Sequence, residues 1–125
     1  MAARFATQLS VVLSLFFVAS SAATEFNYKQ YKAAPENWKL GFVSGISRYM
    51  STVAQPDEEP PYPVRAAFQR CFARATEAHL MHQVDAYVAA NPASSNGPVV
   101  TVVMRAMFDL CRSEIAKVQR TALPR

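Results

Sequence analysis

From residue 35 onward, apolar and polar positions alternate with the period of an α-helix in three stretches. In the first, Trp38, Phe42, Ile46, Tyr49 and Val53 recur at intervals of four and three, which places them on one helical face and predicts a core stripe. Pro35 suits the first turn of that helix, and Glu36 suits the positive end of its dipole. In the second stretch, Thr76 is an N-cap and Glu77 occupies the first turn. Leu80, Val84, Tyr87 and Val88 form the buried face, and Asn91-Pro92 is the stop. The third opens at Pro98 and carries Val100, Val103, Met107, Leu110, Cys111 and Val118 on one face. Thr101, Arg105, Asp109 and Arg112 share the other face, where Arg105 and Asp109 are spaced for an i,i+4 ion pair. Residues 99–103, VVTVV, are β-prone. The helical pattern continues well past them and no partner strand is evident, so the sequence predicts helix.

The segments between these stretches read differently. "AQPDEEPPYPV" (54–64) holds four prolines and three consecutive acids, and it reads as a stiff, solvated connector. Residues 65–75 fit either a short helix or a loop leading to Cys71. Residues 23–35 carry Phe26, Tyr28 and Tyr31 without a sustained helical period, and read as an irregular arm packed on the domain. The expectation is an all-α bundle of three to four helices over residues 36–119, with a short tail at 120–125.

At the N-terminus, a basic start (MAAR), an apolar run (LSVVLSLFFVA, 9–19) and small residues (SSAA, 20–23) have the form of a secretory signal peptide over residues 1–22. The apolar run is well short of the roughly 20 residues that a spanning helix needs. The chain is therefore expected to be periplasmic or secreted, and free of the membrane after cleavage. About 102 residues then remain, enough for one small domain.

Export changes the meaning of the two cysteines. An even pair in an oxidising compartment points to a disulfide between Cys71 and Cys111, the alternative being two buried thiols. Closing a loop of 40 residues stabilises a fold by about 4 kcal/mol on the chain-entropy estimate. Charge adds less. The 13 basic and 9 acidic residues are dispersed, unlike the dense basic patches of nucleic-acid binders, so no nucleic-acid partner is expected.

Candidate chemistry is sparse. His79, His82 and Asp85 follow one another at intervals of three, but on the polar side of their helix, and no metal site is assigned. No serine sits in a nucleophile elbow, and Asp57, Glu58 and Glu59 lie in a proline-rich connector poorly suited to holding a catalytic pair. The expectation is therefore a protein that is not an enzyme and carries no cofactor. The same connector suits recognition better: Asp57, Glu58, Glu59 and Tyr62, held by prolines, are candidates for docking into a basic cleft of a protein partner. Gly41 and Gly45, two of only three glycines, sit one turn apart in the first helix, where each costs about 1 kcal/mol relative to alanine. They make a notch for a helix of the same chain, for a dimer contact, or for a ligand.

Read in order, "GFVSGIS", Cys71, "QVDAYVAANP" (83–92) and an apolar helix reaching Cys111 resemble the Tai/Rap family of exported helical immunity proteins. Gly41, Phe42, Gly45, Cys71, Gln83, Tyr87, Val88, Asn91, Pro92 and Cys111 fill that family's pattern. Members are paired with the peptidoglycan amidases of type VI secretion. The resemblance implies a periplasmic inhibitor that blocks an amidase by covering its active-site groove, and a homodimer is among the expected forms of the chain. The alternative expectation is a periplasmic structural or holdase-type stress protein with no dedicated amidase partner.

Overall fold

The computed structural model describes residues 25–53 and 56–122. The expected leader lies outside them. Six α-helices occur among the described residues: α1 (Tyr28–Ala33), α2 (Glu36–Thr52), α3 (Pro63–Phe72), α4 (Glu77–Ala90), α5 (Val99–Leu110) and α6 (Arg112–Ala122). A 3-10 turn, Pro92–Asn96, joins α4 to α5. No strand occurs among the described residues, only an isolated bridge between Asn27 and Pro98. None of the described helices is long and apolar enough to cross a membrane.

Two helices, α1 and α4, start on a side-chain N-cap. The Thr76 hydroxyl accepts from the His79 amide at 3.1 Å, capping α4 as expected. The arm at 23–35 departs from its reading, because its centre is the helix α1. Asn27 and Gln30 form a reciprocal capping box at its start, with bonds of 3.1 and 2.9 Å. Residues 65–75, open between helix and loop, are helical as far as Phe72 within α3.

The core gathers Tyr31, Val43, Met50, Phe68, Val84, Val103 and Met107, all fully buried. Its α2 contribution differs from the expected stripe. Val43, Ser47 and Met50 face inward, whereas Trp38, Tyr49 and Val53 are exposed and Phe42 and Ile46 are half-buried. The buried face is thus turned by about 100°, one residue, from the apolar stripe. The turn follows from what abuts α2, since α3, α4 and α5 all pack along it. Ser47 sits where α2 meets α5, its small side chain allowing close approach, and its hydroxyl donates to Met107 Sδ at 3.4 Å.

The last helix also differs from expectation. It breaks at Cys111, whose φ of −92° and ψ of 6° leave the helical region and separate α5 from α6. The expected face shifts with it: Val99, Val102 and Ala106 join Val103 and Met107 inside, and Val100 is exposed. The Arg105–Asp109 pair does not form. Asp109 instead accepts from Arg112 at 2.5 Å. Helix α6 runs on to Ala122, past the boundary expected at residue 119.

Cys71 and Cys111 are disulfide-bonded, with their Cα atoms 5.6 Å apart. The bond ties the end of α3 to the α5–α6 break. A second tie lies close by. Glu114 of α6, almost fully buried, accepts from Lys117 at 2.8 Å and pairs with Arg70 of α3 and with Arg74, in the turn just after α3, at 3.5 Å each.

Candidate docking loop and surface

The acidic connector between α2 and α3 is the segment the sequence marks for recognition, and its four candidate residues have different fates. Glu58 turns back on its own chain. Its carboxylate accepts from the amides of Val64 and Arg65, two otherwise unsatisfied donors in the first turn of α3. Tyr62 immediately precedes that helix with φ at 53°, in the left-handed region that an aromatic residue seldom occupies. The Arg65 guanidinium lies 4.2 Å from the centre of its ring. Asp57 and Glu59 are exposed. The loop is therefore held from within by Glu58, Tyr62 and Arg65, and offers two carboxylates to solvent.

No described helix packs into the notch at Gly41 and Gly45. Both are exposed, and a Cβ added at either would meet no atom within 4 Å. They border an open groove of about 500 Å³, with Ser44 and Arg48 on the same side and Phe72 and Leu80 across from them. The Ser44 hydroxyl oxygen is buried there without a hydrogen-bond partner.

His79 and His82 are exposed and Asp85 turns away to α1. Among the described residues, no three His, Cys, Asp or Glu side chains converge as ligands. Asp85 accepts from the Tyr28 hydroxyl and from Lys32 Nζ, both at 2.6 Å. Burial pushes its carboxyl up, but those two hydrogen bonds and the charges of Lys32 and Lys39 outweigh it and hold the group below its ordinary range. Burial and the same carboxylate push the Tyr28 phenol up. The Tyr31 phenol, fully buried and without a hydrogen-bond partner, is pushed up to about 12 by burial, with the Asp85 charge adding to it.

Tyr31 also belongs to an aromatic cluster that reaches the surface. Its ring lies 6.1 Å from that of Phe42, which stacks on Trp38 at 5.0 Å, and Phe26 meets Trp38 edge-on at 5.3 Å. Phe26 and Trp38 remain 38% and 42% exposed. No single pattern in the sequence marks this cluster, because Phe26 comes from outside the periodic stretch.

No protein family matches the sequence, and no curated protein or solved structure is similar to it. The exposed features of the described residues are a braced acidic loop, an open groove beside two glycines, and an aromatic patch.

Proposed function

We propose that this chain is an exported binding protein that inhibits a cell-wall amidase by steric occlusion, with the loop at 56–62 as its docking element. The reading takes its partner class from the resemblance to the Tai/Rap immunity proteins. The observation that carries it is the loop itself, which presents Asp57 and Glu59 from a backbone fixed by Glu58, Tyr62 and Arg65. A loop ordered before binding loses less entropy on docking. Two exposed carboxylates complement a basic cleft and favour fast, selective encounter. The left-handed Tyr62 supports the same reading, because backbone strain of about 1–3 kcal/mol is retained most often at binding and switch segments.

The test uses peptidoglycan amidases of the type VI secretion class, beginning with any encoded beside this gene. Mixing the chain with one of them is expected to give a stable 1:1 or 2:2 complex and to stop cleavage of peptidoglycan peptides. Replacing Asp57 and Glu59 together by alanine is expected to weaken the complex by about tenfold or more. Absence of a complex ends the proposal.

The aromatic patch favours a second reading, a holdase-type envelope protein. Phe26, Trp38 and Tyr49 are 38%, 42% and 53% exposed and offer apolar surface to unfolded clients. Suppression of aggregation of unrelated proteins, lost on replacing Trp38 by glutamate, identifies that role.

A further inference from the structure

Tyr87 of α4 and Arg105 of α5 stand at the join of two open cavities, of about 410 and 400 Å³, each of which they help to line. One cavity crosses the α5–α6 break, past Phe108, Ile115 and Gln119. The other runs toward the 3-10 turn, past Thr101. The two make one trough, and the break at Cys111 shapes it: α6 leaves the line of α5 and its residues 115–119 form one wall.

Asp109 and Arg112 line the trough beside the α5–α6 break, and Arg105 is the charged group at its middle, shared by both cavities. Its expected acid, Asp109, is taken by Arg112, and the Arg105 side chain makes no hydrogen bond or ion pair among the described residues. The hydroxyl of Thr101, the amide of Gln119 and the phenol of Tyr87 are likewise without partners there. Polar groups that donate and accept thus flank an unpaired guanidinium, over apolar surface from Phe108 and Ile115. That combination suits main-chain amides along the trough and one carboxylate at its middle.

We infer that the trough between α4, α5 and α6 binds an extended peptide segment bearing a carboxylate, which Arg105 receives. This surface is separate from the loop at 56–62, and the inference stands whether or not that loop binds an amidase.

The test is a titration of the purified protein, followed by amide chemical shifts. The probes are an acetylated alanine hexapeptide with one central glutamate and its glutamine counterpart. The glutamate peptide is expected to cause saturable shifts at Tyr87, Thr101, Arg105 and Gln119, and to bind about tenfold more tightly than the glutamine peptide. Arg105→Gln is expected to erase that preference, and Thr101→Glu to weaken the glutamate peptide by like-charge repulsion. Both positions are exposed, so melting temperature should be unchanged in each variant. Three results overturn the inference: shifts confined to other surfaces, a glutamate preference that survives Arg105→Gln, and shifts produced by sodium octanoate but by neither peptide.

Discussion

The phenol of Tyr28, in α1, donates to Asp85 in α4 across 57 residues of sequence, at 2.6 Å. With Lys32 donating to the other carboxylate oxygen, a single acid anchors the N-terminal helix to the bundle. A helix of six residues is too short to persist alone in water, so this anchor and the burial of Tyr31 maintain it. Asp85→Asn and Tyr28→Phe are each expected to cost about 1 kcal/mol, a value limited by the partial exposure of the pair. They should raise hydrogen exchange in α1 before the rest of the domain. Unchanged protection of the α1 amides in both variants would refute the anchoring role.

Acid should act on the same contact. The Asp85 carboxyl titrates below its ordinary value of 3.8 in the fold, so its contribution is complete above that pH and is lost as pH falls through the lower, folded value. Glu114 behaves alike: the hydrogen bond from Lys117, aided by Arg70 and Arg74, outweighs burial and holds its carboxyl below 4.5. Stability should therefore be flat with respect to these two groups above about pH 5 and decline below pH 4.5. Glu114→Gln should lower the melting temperature at pH 7 and flatten the acid limb. A steep acid limb retained in the Asp85→Asn, Glu114→Gln double variant would place the loss elsewhere.

Glycine 41 and glycine 45 make an opposite prediction. No described residue occupies the space where their Cβ atoms would stand, and alanine favours the helix interior. Gly41→Ala and Gly45→Ala are each expected to stabilise the protein by about 0.5–1 kcal/mol, read from urea midpoints. Destabilisation by either would show that the helix needs the glycine for itself. If stability rises while partner binding weakens, the groove beside them is a contact surface.

Reduction of the disulfide should remove about 4 kcal/mol and lower the urea midpoint by roughly 2 M. The Cys71→Ala, Cys111→Ala variant should behave like the reduced protein. The loss is expected to fall first on α6, which then keeps only its packing and the Glu114 cluster to hold it against α3. Equal midpoints for the oxidised and reduced forms would contradict this.

Within the acidic loop, the three carboxylates should separate by role. Glu58→Ala removes the acceptor for two amides at the start of α3 and should cost about 1 kcal/mol. Asp57→Ala and Glu59→Ala, both at exposed positions, should leave thermal stability unchanged. A loss on replacing Asp57 or Glu59 equal to that for Glu58 would show that they too are structural.

How much of this was legible beforehand depended on range. The Thr76 cap, the stop at Asn91-Pro92 and the apolar faces of α4 are interactions within a few residues, and pattern reading reaches them. The Asn27-x-x-Gln30 capping box was equally local, and it marks α1 in a stretch whose lack of periodicity suggested an irregular arm. The candidate loop was legible as a rigid acidic segment. Its division into one internal carboxylate and two exposed ones was not, because Glu58 reaches an amide six residues on.

The sequence by itself determined that the fold is helical and, if its cysteines are oxidised, how it is cross-linked. Apolar spacing selects helix over strand residue by residue, and two cysteines admit only one intramolecular pairing. The tertiary structure decided which side of α2 is buried, where the last helix bends, and which acid each cation meets. The physical reason is that an apolar stripe states a preference for burial, whereas actual burial depends on which neighbours abut it. On α2 the aromatic stripe was left at the margin of the core, while a serine small enough for close packing took its centre.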